Sequence, residues 1–116
     1  MWAAINIDSL GFESSLFKMR TGHNEPGHWL ADLADVVIQE HDVETAWIAG
    51  GEDSMAFQRE GIDAIGIGQK PTLPESVQIH SPMDSLENLH FAPVAMAYSI
   101  FFEIIERLIQ KTCVLL

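Results

Sequence analysis

Three short strings hold the residues whose types and spacing could do chemistry. The first, Ile5-Asn6-Ile7-Asp8-Ser9-Leu10-Gly11, ends an apolar run on an aspartate. Ligands of parallel α/β sheets gather beyond the carboxyl ends of the strands, so a carboxylate there is well placed to bind a metal. Position alone favours an ordinary loop or cap aspartate, with Asn6 as a plain polar partner. The second string is Gly50-Gly51-Glu52-Asp53-Ser54-Met55-Ala56-Phe57, followed by Glu60-Gly61-Ile62-Asp63-Ala64-Ile65-Gly66-Ile67. Asp53 reads first as a helix cap that fixes the turn after a strand, and second as an organiser of a metal loop. The third string is Ile79-His80-Ser81-Pro82-Met83-Asp84-Ser85-Leu86-Glu87-Asn88-Leu89. A neutral imidazole at His80 is a good zinc donor whose other nitrogen needs an orienting acceptor, and Asp84 is close enough in sequence to shape that loop or fill that role.

The remaining histidines have no ligand spacing. His41 and His90 read as helix-end residues, and His28 has no partner pattern. His23, in Arg20-Thr21-Gly22-His23-Asn24-Glu25-Pro26, is a candidate border of a substrate pocket. The serines lack a Gly-x-Ser-x-Gly elbow, and the single cysteine, Cys113, has no histidine nearby in sequence, so a covalent hydrolase finds no support. Trp29, Trp47, Phe101 and Phe102 read as core.

The elements that must position these residues follow from periodicity and breakers. Trp2 to Ile7 reads as a buried strand. Ser9 to Gly27 reads as a long irregular segment broken by Gly11, Gly22, Pro26 and Gly27. His28 to His41 is an amphipathic helix, with Trp29, Leu30, Leu33, Val36 and Val37 inward and Asp32, Asp35 and Glu40 outward. Thr45 to Ala49 is a short strand. Asp53 to Arg59 is a short helix, with carboxylates favoured at its start and Gly61 as its stop. Ala64 to Ile67 is a buried strand, Lys70 to Ser76 a loop, and Ala92 to about Gln110 a helix with Pro93 in its first turn. Helices alternating with apolar strands predict an α/β fold with a partial, largely parallel sheet.

Composition narrows the functional classes. The 116 residues are one domain or a piece of one, with a 47% hydrophobic fraction that allows a modest core. Six basic residues against 17 acidic ones, a net charge of −11, oppose nucleic-acid binding and an anionic membrane surface. Such a surface supports solubility and also suits cationic substrates such as a peptide amino terminus. One cysteine permits no intrachain disulfide. The start has neither a basic segment nor a sustained apolar run, so no signal peptide is expected. The uncharged stretch His90–Phe102 is too short for a bilayer span, and the compartment stays open. The ending Cys113-Val114-Leu115-Leu116 fits a prenylation box, but with no polybasic run before it a helix end is the preferred reading.

In their order the three strings resemble the C-terminal part of the co-catalytic, di-zinc aminopeptidases, the zinc exopeptidase family that includes bacterial leucyl aminopeptidases, glutamate carboxypeptidase and glutaminyl cyclases. The likeness runs from about Trp2 to Leu108, and His80–Leu89 is its most specific part. It implies that Asp8 binds one zinc ion and His80 the other. The family's bridging aspartate, second histidine, zinc-binding glutamate and general-base glutamate come from earlier in its domain. No segment here matches them, and the chain has no Glu-Glu pair. The family often has a tyrosine before the histidine, where this chain has Ile79. Residues 1–116 are thus expected to be one partial catalytic domain of a metallo-aminopeptidase that hydrolyses N-terminal peptide bonds with a metal-activated water. Alone it is expected to be inactive and to bind zinc weakly or not at all. Its expected partners are a peptide substrate in the complete enzyme and either a second copy or the missing N-terminal portion, which an exposed first-strand edge would attract. The alternatives are a non-catalytic binding or assembly module derived from this fold, and one chain of a two-chain peptidase.

Overall fold

A computed structural model describes residues 2–11, 17–20, 27–48, 52–69, 81–82 and 85–114. The chain is α/β, as expected. Four strands, β1 (Ala3–Asp8), β2 (Phe17–Arg20), β3 (Thr45–Ile48) and β4 (Asp63–Gln69), form one sheet in the order β1-β4-β2-β3. Two of its three pairings are parallel, β1 with β4 and β2 with β3, while β2 runs antiparallel to β4. Among the described residues three helices flank the sheet, α1 (Trp29–Glu40), α2 (Ser54–Arg59) and α3 (Phe91–Val114), and a short 3-10 turn spans Leu86–Asn88.

The differences from the sequence reading have physical causes. The segment Ser9–Gly27 is not wholly irregular, since Phe17–Arg20 forms β2. Four residues of mixed polarity show no clear alternation, and it is pairing on both sides, with β3 and β4, that makes this stretch a strand. The strand β1 is not buried. Among the described residues it lies at a sheet edge with a neighbour only in β4, and its residues are half-buried to exposed. Trp47 and Phe102 are not core residues, with 45% and 53% exposure, and Val36 also faces outward. Phe101 is buried as expected.

The apolar core lies between one sheet face and the pair α1 and α3. Leu30, Ala34, Val37 and Ile38 of α1 meet Ile65 and Ile67 of β4 and Ala97, Ile100 and Ile104 of α3, all inaccessible to solvent. The amphipathic pattern of α1 produces this packing. Asp32 accepts from the Gly27 amide at 3.1 Å, which serves the helix start that His28 leaves without a side-chain cap. Asp42, at φ 58°, ends the helix in the left-handed region that aspartate tolerates. Trp29 joins three elements: its indole donates to Asp63 of β4 at 2.8 Å, and Lys111 of α3 lies 4.3 Å above its ring.

Candidate functional site

Asp8 is the last residue of β1, in register with Gly68 of β4, and is exposed. The Ser9 hydroxyl donates to its Oδ1 at 3.1 Å. The turn that follows is fixed from two directions. Gln69, 2% exposed at the end of β4, donates its backbone N–H to the Ser9 carbonyl at 3.3 Å. Its side-chain Oε1 accepts from the Gly11 amide at 2.8 Å, and its Nε2 donates to the Pro93 carbonyl of α3 at 3.0 Å. Both ends of this buried amide are therefore satisfied, as burial requires.

The other side of the turn meets the end of the third string. The His90 amide donates to the Gly11 carbonyl at 2.9 Å. Gly11 has φ +98°, and a Cβ built there would stand 2.1 Å from Leu89 Cδ1. Only glycine combines that backbone conformation with so close an approach. The loop after Asp8 and the close of the His80–Leu89 string are thus packed together. His80 and Asp84 themselves lie outside the described residues, as does His23.

Asp53 takes the N-cap position of α2, is exposed, and makes no side-chain capping bond. The capping role falls to Glu52. Its Oε2 accepts from the Ser54 amide at 2.8 Å and from the Asn6 side-chain amide of β1 at 3.0 Å, and its Oε1 accepts from the Ser54 hydroxyl. Gln58 continues the network to Ser54 Oγ and to the Ala64 carbonyl, both at 3.1 Å. The Glu52 carboxyl lies over Gly66, where a Cβ would come within 2.3 Å of it. Sequence reading noticed Glu52 only as one of two acidic residues at a helix start. The better signal was the glycine opposite, which leaves room for a carboxylate on the sheet.

Zinc normally takes three or four protein donors. Among the described residues no three His, Cys, Asp or Glu side chains come together. Asp8 is exposed at a strand end where a donor is useful, but the described residues do not make a zinc site by themselves. Also among the described residues, no helix is long and apolar enough to cross a membrane.

No family model and no curated protein matches the chain. Among solved structures it is similar to BSAP, a zinc aminopeptidase from Bacillus subtilis, with a TM-score of 0.76 and 18% identity. The match covers 91% of this chain but only 28% of the aminopeptidase. The fold of this chain is therefore similar to that of part of the aminopeptidase.

Proposed function

We propose that this chain is the C-terminal portion of a zinc-dependent aminopeptidase-like hydrolase, with Asp8 and His80 each offering one metal donor. The observation that carries the reading is the junction at Gly11. The turn after Asp8 is bonded to the end of the His80–Leu89 segment, within a fold shared with a zinc aminopeptidase. Asp84 in the same string is the candidate acceptor that orients the imidazole, and Asp53 is a loop-organising residue near the sheet. His23 is the candidate border of a pocket for the peptide's N-terminal residue. The net charge of −11 suits a substrate whose amino terminus is cationic.

One donor to each ion is too few for a stable zinc site, so the remaining donors and the general base have to come from polypeptide outside these 116 residues. Zinc titration of the metal-free chain tests this, with oligomeric state recorded in the same sample and an aminopeptidase assay beside it. Weak binding that falls further in Asp8→Ala and His80→Ala, with no hydrolysis, is the expected result. Tight binding of one or two ions per chain, or zinc-dependent hydrolysis, would overturn the incomplete site. Weak binding indifferent to both substitutions would remove Asp8 and His80 as donors.

A further inference from the structure

The helix α3 has two apolar stripes, and only one is covered. Ala97, Ile100, Phe101 and Ile104 are buried against the core. A second stripe, Phe91, Val94, Tyr98, Phe102, Ile105 and Ile109, recurs at intervals of three and four residues beside the first. Tyr98 is 68% exposed, Phe102 53%, Ile105 47% and Ile109 58%. The apolar arc of α3 is therefore wider than the core covers, with Glu103, Glu106 and Gln110 on the remaining face. Val94, Tyr98, Phe102 and Ile105 share an open groove with Ile7 and Leu10, so the stripe runs into the end of β1.

The strand β1 adds an open edge to this surface. It pairs with β4 through six consecutive positions without a bulge, and among the described residues no strand lies on its other side. Its sequence, Ala-Ala-Ile-Asn-Ile-Asp, has no proline or lysine, and its single charge is at the last position. Among the described residues, no proline, lysine, bulge or covering strand protects this edge.

We propose that this surface is a self-association interface, and that its occupant is a second copy of the chain, paired across a two-fold axis by antiparallel β1 edges with the α3 stripes packed alongside. A strand edge is complementary to itself in the antiparallel sense, as an isologous interface requires. Area supports this occupant. At ~200 Å² per aromatic side chain, the exposed fractions of Phe91, Tyr98 and Phe102 amount to about 400 Å². Three isoleucines, Ile7, Ile105 and Ile109, and the backbone edge extend the face toward the ~800 Å² per partner of a standard interface. Charge allows it too, because no formal charge occurs from His90 to Phe102 despite the net −11. The acidic remainder of the surface repels at long range, so association tightens as salt screens it.

In such a dimer the two Asp8 carboxylates lie at opposite ends of the paired strands, roughly 17 Å apart along β1. Self-association therefore does not join the metal half-sites, and its test reads oligomeric state rather than zinc binding.

Sedimentation equilibrium of the complete 116-residue chain across concentration and salt tests the proposal. A monomer–dimer equilibrium is expected, with association weakened at least tenfold in both Phe102→Lys and Ile105→Lys and unchanged in Val36→Lys, an exposed apolar position on α1. Both test residues are half exposed, and circular dichroism establishes that the variants fold. Hydrogen exchange then shows the β1 amides gaining protection with concentration. A chain monomeric at every concentration, a dimer indifferent to both lysines, or an open-ended series of larger species would each overturn the assignment.

Discussion

The two faces of β4 are built by opposite means. On one face Ile65 and Ile67 project into a dry core made with α1 and α3, where large aliphatic side chains fill the space. On the other face Ala64, Gly66 and Gly68 present almost no side chain, and the space over Gly66 is taken by the Glu52 carboxylate with Asn6 and Ser54 bonded to it. One face gains stability from apolar area removed from water. The other gains position: a carboxylate bonded to both β1 and α2 ties the strand that ends in Asp8 to the helix beside it. A core tolerates modest exchange of shape at constant volume, whereas a polar network fails when one member is lost or when an extra atom enters.

Substitutions on the core face should have the largest effect. Ile100→Ala removes a fully buried side chain between the helices and the sheet and is expected to cost about 2–5 kcal/mol in chemical denaturation. A loss below ~1 kcal/mol would mean that this face is loosely packed and that the contrast is false. Gln69→Leu comes next. It keeps a side chain of similar size on the core face but strands the Gly11 amide, at about 1–3 kcal/mol, while the Pro93 carbonyl loses a second donor beyond its helical one. Because this residue holds the turn after Asp8, hydrogen exchange at Gly11 should rise more than in the helices. Uniform loosening would show that Gln69 merely fills volume.

The polar face is best probed by coupling. Gly66→Ala places a methyl carbon against the Glu52 carboxyl and should cost about 1–3 kcal/mol. In a Glu52→Ala background the same change should be nearly free. The double-mutant cycle would then show an interaction of about 1–3 kcal/mol, within the range for residues in contact. Additive losses would mean that Gly66 is required for something other than room for Glu52.

How much of this was legible in the sequence differs between the two faces. The core face announced itself, since Leu30, Leu33 and Val37 repeat with helical period and Ala64–Ile67 is an unbroken apolar run. The helices α1, α2 and α3 and three of the four strands follow from such local patterns. The strand β2 did not, because neighbours distant in sequence hold its four residues. The misplacement of Trp47 and Phe102 has a related cause: hydrophobicity alone says that a residue prefers cover, not that these residues supply it. The polar face was harder still. Asp8 at a strand end could be named from the order of motifs, but Glu52 and Gln69 act across 46 and 58 residues, and no periodicity reports such pairings.

The smallest expected effect lies at the rim, where packing and polar bonding meet. Glu103 of α3 bonds His41 at the end of α1, at 2.7 Å, and Arg107 one turn on, at 2.8 Å. Arg107 also reaches Glu40, so the cluster closes the outer seam between the two helices. The hydrogen bond with His41 first, and that with Arg107 second, hold the Glu103 carboxyl below its ordinary value. A carboxylate so depressed binds fewer protons in the folded state than in the unfolded state. Its contribution is complete above the unfolded carboxylate pKa and is lost as pH falls through the lowered folded value. Glu103→Gln should therefore be less stable than the parent at neutral pH, and the two should converge in acid. The gap should be small and should shrink with added salt, because the group is exposed to solvent and screened. A gap that is constant from neutral pH through the acid range would show that the seam is held by packing alone, and the rim would then belong with the core face rather than with the network around Glu52.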